Sequence, residues 1–232
     1  MKPLLKFFLI AILFTATNTF ASEIQDRKLS GFRAVASTGS FDVVLRQGGS
    51  ESVKVEADAE VINDIVTEVK NGTLTIRSKN TRNWSNMWNN RKITIYVVAK
   101  DLNSVSLSGS GDLKIENQFN ANKLELRLSG SGDFRGAVNV KTLEASISGS
   151  GDFSISGKAD ESTVSISGSG DYHGSDLMTK STAIRVSGSG DATIYASENV
   201  EASVSGSGDV HYSGHPKNVS KVAHGSGDIS GS

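Results

Sequence analysis

The chain has 232 residues, with 24 Lys and Arg against 25 Asp and Glu, and it has no cysteine. A formal net charge of −1 gives no general attraction to nucleic acid or to anionic lipid, so we expect no nucleic-acid partner. Without cysteine, disulfides, thiolate metal sites and a cysteine-linked lipid anchor are all excluded.

Residues 1–21 predict an export signal. Lys2 and Lys6 give a charged start, residues 4–13 are mostly apolar, and residues 19–21 are suited to a cleavage site. The apolar run is short for a membrane-spanning helix, although a retained N-terminal anchor is an alternative. We therefore expect a mature chain from about Ser22 that has no membrane span. It would lie in the periplasm, on the outer surface or outside the cell.

Residues 22–30 are expected to form a short leader, and residues 31–100 to form irregular coils of β-structure. Apolar residues alternate in short runs there, for example Phe41, Val43 and Leu45. Asn71-Gly72 predicts a tight hairpin turn, and a short helical turn is expected within residues 60–65.

The segment from Lys79 to Lys92 contains both tryptophans, several asparagines and four basic residues, and no acid. Aromatic faces can stack on sugar rings while amides and guanidinium groups hydrogen-bond to hydroxyls; the same mixture also suits single-stranded nucleic acid. Alternatively, the tryptophans cover an apolar flank of the protein. The candidate ligand-binding residues are Trp84, Trp88, Arg82, Asn86 and Arg91.

A Gly-Ser-Gly-Asp tetrapeptide recurs seven times in residues 101–232, at intervals of 18 to 21 residues. A fixed period of this size indicates a coil stacked on copies of itself. The repeats begin at Gly109, Gly130, Gly149, Gly168, Gly188, Gly206 and Gly225.

Each repeat predicts a strand before the tetrapeptide and a second strand after it, since apolar residues alternate with polar ones on both sides. A third apolar position, at Phe119, Val138, Ala159 and Leu177, suggests a third side. We therefore expect an all-β fold: one parallel β-solenoid domain over residues 31–232, with about 19 residues per coil. Parallel crossovers favour right-handed winding. The last repeat is the most polar, which would discourage end-to-end pairing of strands.

The aspartates that end the tetrapeptides have two interpretations. They could accept hydrogen bonds from backbone amides in a turn, with the glycines structural as well. They could instead form a calcium ladder, because successive carboxylates would lie about 4.8 Å apart. The candidate metal ligands are Asp112, Asp133, Asp152, Asp171, Asp191 and Asp209. No other cofactor is expected.

No catalytic residues are predicted. Retaining glycosidases hold two carboxylates about 5–5.5 Å apart, which a stack of aspartates would match by accident. Equivalent pairs repeated along a stack give no distinct acid and nucleophile. The histidines are expected to be solvated, and the serine columns to be small residues at tight corners.

Four motifs resemble the autotransporter-adhesin head GIN-domain family of exported bacterial proteins. They are Phe41-Asp42-Val43 followed by Gly48, residues 71–76, the repeated Ser-Gly-Ser-Gly-Asp, and residues 212–216. The resemblance implies a parallel β-solenoid of the cell envelope or surface, without an established ligand or catalytic residue. We therefore expect a non-catalytic module that binds a polysaccharide or a surface protein. The alternatives are a spacer without a ligand and, less favoured, a carbohydrate-cleaving enzyme.

Overall fold

The chain winds into a tall stack of β-coils. The structure, a computed structural model, describes residues 22–79 and 92–232. In that part of the chain the helical structure is a single three-residue 3-10 helix, Ile62–Asp64, where a short helical turn was predicted. The predicted fold class, an all-β parallel solenoid, is confirmed. None of the described residues form a helix of the length and apolarity that crossing a membrane requires.

Seven strands precede the repeats. They are β1 (Ser22–Arg27), β2 (Ala34–Gly39), β3 (Asp42–Gln47), β4 (Ser52–Asp58), β5 (Ile65–Lys70), β6 (Thr73–Ser78) and β7 (Thr94–Ala99).

Twelve strands follow. They are β8 (Ser104–Gly109), β9 (Leu113–Ile115), β10 (Phe119–Gly130), β11 (Phe134–Gly149), β12 (Phe153–Gly168), β13 (Tyr172–Gly174), β14 (Leu177–Gly188), β15 (Ala192–Tyr195), β16 (Asn199–Gly206), β17 (Val210–Ser213), β18 (Asn218–Gly225) and β19 (Ile229–Gly231).

Two sides of the solenoid run its full height. The first side stacks in the order β5, β6, β2, β8, β10, β11, β12, β14, β16, β18, and the second in the order β1, β4, β7, β3, β9, β11, β12, β13, β15, β17, β19. Among the described residues, all pairings are parallel except β1 with β4, β4 with β7 and β5 with β6. The antiparallel strands therefore cap one end, and the hairpin predicted at Asn71-Gly72 joins β5 to β6.

The first coils do not stack in chain order. Strands β2 and β3 lie between the coil of β6 and β7 and the coil of β8 and β9. After β3 the chain thus forms strands β4 to β7 at the capped end. Strands β8 and β9 then pair with the opposite edges of β2 and β3. This arrangement, rather than a simple succession of turns, is what makes residues 31–100 irregular.

The third side begins with the repeats. Phe119 pairs in register with Val138, Gly157 and Leu177 in successive coils. The column was predicted to contain Ala159, but Gly157 occupies that position. The reason is steric: Gly157 has φ +109°, and a Cβ there would overlap the carbonyl of Val138.

Two glycines let successive coils approach closely at the corner between the first and second sides. Gly149, the first of its tetrapeptide, has φ +129°, in the region that favours glycine. A Cβ on Gly149 or on Gly151 would overlap the carbonyl oxygen of the equivalent glycine, Gly130 or Gly132, one coil earlier. That carbonyl of Gly130 instead accepts hydrogen bonds from Ser150 N, at 2.9 Å, and from Gly151 N, at 3.1 Å.

The aspartate completes the corner. From Asp112 onward, the backbone N–H of each corner aspartate donates to Oδ1 of the aspartate one coil earlier, at 2.7–3.2 Å. The ladder has eight members rather than the seven expected, because it starts at Asp42 in a Gly39-Ser40-Phe41-Asp42 corner. The eight are Asp42, Asp112, Asp133, Asp152, Asp171, Asp191, Asp209 and Asp228.

An aromatic column fills the middle of the core. The rings of Phe134 and Phe153 meet edge to face with centroids 5.1 Å apart, and those of Phe153 and Tyr172 at 6.5 Å. Burial raises the pKa of the Tyr172 hydroxyl, which lies near that of Ser162. Neither hydroxyl oxygen has a partner in hydrogen-bonding geometry.

The third side carries a column in which charges alternate from coil to coil. Its charged members, in stacking order, are Lys141, Asp160, Lys180, Glu198 and Lys217. Lys180 Nζ lies 2.8 Å from Asp160 Oδ1 and holds the pKa of that carboxyl below its ordinary value. Opposite charges directly across a ladder stabilise the pairing, and like charges destabilise it.

Replacing Asp171 by Ala should lower the free energy of unfolding by about 1–2 kcal/mol, because the Asp191 amide loses its carboxylate acceptor. Asp171→Asn keeps an acceptor oxygen and should cost less. Urea denaturation measures both, with Asp176→Ala, an exposed aspartate outside the ladder, as the control. Equal losses for Asp171→Ala and Asp176→Ala would contradict the role of the ladder.

Tyr172→Phe should leave the free energy of unfolding unchanged or raise it by up to about 1 kcal/mol, since it removes a buried hydroxyl without a partner. Phe153→Ala, one coil away, should lower it by about 3–5 kcal/mol by leaving a cavity. Thermal and urea denaturation compare the two. A clear loss of stability in Tyr172→Phe would mean that the hydroxyl is hydrogen-bonded after all.

Candidate functional site

A column of outward side chains on the second side forms the best candidate site. The stacking of β7, β3, β9, β11, β12 and β13 brings one residue from each strand into register. Six rungs at about 4.8 Å span about 24 Å along the solenoid axis. We call this column and the depression over it the second-side groove; its residues are Tyr96, Val44, Lys114, Arg135, Ser154 and His173.

Two adjoining cavities form the groove. One, of about 300 Å³, lies over Tyr96 and Val44, and the other, of about 440 Å³, lies over Ser154 and His173. Lys114 and Arg135 line both cavities, so the two meet at these side chains. The column of residues beneath them runs along the solenoid axis.

The groove has an apolar end with an exposed aromatic side chain. Tyr96 is 37% exposed, and Val44 is its direct neighbour on the next rung. The Tyr96 hydroxyl donates a hydrogen bond of 2.7 Å to Glu56 Oε2, which orients the ring. The Glu56 carboxylate, as acceptor, raises the pKa of Tyr96.

Charges of both signs border the groove. Asp42, Asp112 and Asp133 line one edge, and each offers its Oδ1 to the amide of the following coil. Arg135 Nη2 lies 3.0 Å from Asp133 Oδ2, and Lys114 is exposed on the neighbouring rung. The groove therefore combines hydrogen-bond donors and acceptors beside an aromatic face.

Two further cavities lie elsewhere. The larger, of about 610 Å³, lies among residues 31–34, Glu51, residues 71–73, Lys100, Asp101 and Asn103. The other, of about 480 Å³, lies on the third side beside Met178. We favour the second-side groove because it contains Tyr96. Among the described residues, Tyr96 is the one aromatic residue in the group of exposed large hydrophobic side chains.

The sequence-predicted ligand-binding residues Trp84, Trp88, Arg82, Asn86 and Arg91 lie outside the described residues. The flanks of their segment are described. Lys79 N donates to Asp64 O at 2.8 Å, and Asp42 N donates to Ile93 O at 2.9 Å. Lys92, the last residue of the segment, lines the end of the groove near Tyr96. The predicted binding segment therefore joins the solenoid beside the groove.

The candidate calcium ligands take part in the corner ladder. Asp112, Asp133, Asp152, Asp171, Asp191 and Asp209 each accept a backbone N–H from the next coil. Among residues 22–79 and 92–232, no three His, Asp or Glu side chains converge as metal ligands. The geometry supports the interpretation of these residues as turn acceptors.

Sequence reasoning missed the groove residues. Lys114, Arg135 and His173 each stand one residue beyond an inward apolar side chain that follows the corner aspartate. The strict alternation after each aspartate already implied an outward position there. Tyr96 and Val44 gave no such signal, because β7 and β3 lie far apart in the sequence.

Comparisons with known proteins bear on the whole fold. The model of the family described as "Putative auto-transporter adhesin, head GIN domain" matches residues 31–216. No curated protein matches the chain.

Solved structures share the architecture. A "putative adhesin" from Bacteroides fragilis NCTC 9343 is 23% identical, with 91% of this chain and 97% of that chain covered and a TM-score of 0.82. A "putative lipid binding protein" from Parabacteroides distasonis ATCC 8503 is 25% identical, with 91% and 96% covered and a TM-score of 0.71. A "putative adhesin" from the same strain is 22% identical, with 92% and 98% covered and a TM-score of 0.72.

Glu56→Gln should lower the pKa of Tyr96 toward its ordinary value of about 10, because the charged acceptor is removed. The hydrogen bond stabilises the fold below that ordinary value, and the contribution is lost as the pH rises through the raised pKa. Ultraviolet titration of tyrosinate, with Tyr96→Phe to assign the signal, measures the shift. Glu161→Gln, an exposed and distant change, should leave the titration as it is. An unshifted Tyr96 in Glu56→Gln would contradict the assigned bond.

Proposed function

Because this chain belongs to the autotransporter-adhesin head GIN-domain family, we propose that it is an exported, non-catalytic module that binds an extended, uncharged polysaccharide in the second-side groove. The export signal predicted in residues 1–21 and the adhesins with the same fold support this function. The observation that carries the proposal is the groove itself, which sets the Tyr96 ring in line with donors and acceptors along the solenoid axis.

The shape of the groove suits a polymer. Its rungs repeat at about 4.8 Å, so a chain lying along the axis would meet a new protein side chain at every step. Tyr96 and Val44 offer an apolar surface to the C–H face of a sugar ring, and Lys114 and Arg135 offer donors to its hydroxyls. Because the strands already hold the backbone in place, binding would cost little conformational entropy.

The charges favour an uncharged ligand. The carboxylates of Asp42, Asp112 and Asp133 along one edge would repel a polyanion, while Lys114 and Arg135 would repel a polycation. Sugar hydroxyls can donate to the carboxylates and accept from the cations, so they match both edges.

The same carboxylates support a binding role rather than a catalytic one. A glycosidase needs two carboxyl groups in different environments, one acid and one base or nucleophile. Asp112 and Asp133 instead occupy equivalent positions in one repeated corner and accept the same backbone hydrogen bond; they differ in the ion pair of Asp133 with Arg135.

The test is binding of neutral and acidic polysaccharides by calorimetry. We expect a neutral polymer to bind, and Tyr96→Ala combined with Arg135→Ala to raise its Kd at least tenfold, about 1.4 kcal/mol. The matched control is Met178→Ala with Arg185→Ala, an exposed apolar residue and an exposed arginine on other sides, which should leave the Kd unchanged.

Three outcomes would contradict this proposal. Absence of binding to every polysaccharide would favour a spacer or a module that binds protein. Preferential binding of an acidic polymer would contradict the charge argument. Binding that survives the groove variant but is lost in Trp84→Ala with Trp88→Ala would place the site in residues 80–91 instead.

A further inference from the structure

The column of side chains beneath the second-side groove continues past both ends of the groove. Toward the capped end it extends onto β4 and β1, and in the other direction onto β15, β17 and β19. We call this the long column; its eleven members, in stacking order, are Asp26, Lys54, Tyr96, Val44, Lys114, Arg135, Ser154, His173, Thr193, His211 and Ser230.

The extension toward the capped end adds an apolar surface. Ile24 on β1 is 62% exposed and lies directly across from Glu56 on β4. Tyr96, on the strand at the other edge of β4, donates its hydroxyl to the same Glu56 carboxylate at 2.7 Å. Ile24 and the Tyr96 ring therefore lie on opposite sides of this carboxylate. Together with Val44 they offer apolar surface over the first four rungs of the long column.

The other half of the long column alternates between two kinds of side chain. From Ser154 onward a hydroxyl residue and a histidine take turns, in the order Ser154, His173, Thr193, His211 and Ser230. The last two contact each other, with His211 Nδ1 3.2 Å from Ser230 Oγ. Like chemistry therefore recurs at every second rung, or about 9.6 Å along the solenoid axis.

We propose that the long column recognises the interior of a linear, unbranched β-1,4-linked polysaccharide, with about one sugar per rung. This inference rests on the function proposed above and specifies the class of polymer. A β-1,4-linked chain is a straight ribbon in which each sugar advances by close to one strand spacing. Successive sugars are turned over, so like hydroxyls recur at every second sugar, as like side chains do from Ser154 to Ser230.

The straightness of the long column selects against other polymers. An α-1,4-linked chain coils, so it would leave a straight column after a few sugars. Because the column continues past both ends of the groove, a chain can pass along it without presenting an end. The loss of translational and rotational freedom is incurred once, while each further sugar adds contacts. Affinity should therefore rise with chain length until the column, about 48 Å from first to last rung, is covered.

Calorimetry with neutral β-1,4-linked oligomers of glucose, mannose, xylose and N-acetylglucosamine, from two sugars to ten, tests the proposal. We expect the Kd for at least one series to fall tenfold or more between three sugars and six. Conversion of the reducing end of the long polymer to an alditol should leave its Kd unchanged, because no end is recognised. An α-1,4-linked glucan should bind at least tenfold more weakly.

Side chains beyond the groove provide the variants. Ile24→Ala with His211→Ala should raise the Kd of a ten-sugar chain at least fivefold, and the affinity should stop rising at a shorter chain. Met178→Ala with His224→Ala is the matched control, since both residues are exposed on other sides, and it should bind like the original. Circular dichroism melting confirms that each variant is folded.

The outcomes separate this inference from the function on which it rests. If short chains bind as tightly as long ones, if the alditol end abolishes binding, or if the coiled glucan binds equally well, the long column is not the site. Binding in the groove would then still stand, provided that the variant of Tyr96 and Arg135 weakens it. If no neutral polysaccharide binds, the proposed function and this inference are both overturned.

Discussion

The close contact of backbones at the corner between the first and second sides is the constraint on which the structure depends. At a corner, backbone amides that follow the first glycine donate to the carbonyl of the equivalent glycine one coil earlier. The aspartate carboxylate accepts a hydrogen bond from the amide of the aspartate one coil later. Because these backbone donors are satisfied by the adjacent coil, the corners lie directly above one another. The outward columns, including the second-side groove, inherit that alignment, so the binding proposal is a consequence of how the corner is built.

Most of the repeat region could be predicted from the sequence, because its period and its alternation are local signals. The eighth corner was missed since Phe41, fully buried, occupies the position of the third residue, where the repeats have glycine. Gly157 was missed for a different reason: a glycine has no side chain to reveal an inward position. The stacking order of β6, β2 and β8 was also unpredictable, because each pairing joins segments far apart in the chain and no turn fixes the register.

The difference between local signals and long-range pairings also decides which parts of the candidate site could be predicted. Lys114, Arg135 and His173 could have been found, because each follows the aspartate of its repeat at a fixed offset. Tyr96 and Val44 could not, since their meeting requires β7 to pair with β3 across some fifty residues that include the cap. Ligand binding by the tryptophan segment stays a prediction. Because Lys92 lines the groove, the segment and the groove should be tested together. Membership of the adhesin family fits both, without choosing between them.

The alternating charges on the third side depend on whether the solenoid loses an odd or an even number of coils. Loss of the coil that carries Asp160 would bring Lys141 beside Lys180, two like charges one strand apart. Loss of two successive coils would restore a cation next to an anion. Each exposed pair contributes only about 0.2–1 kcal/mol. The number of coils can therefore change in twos without placing like charges side by side on this face.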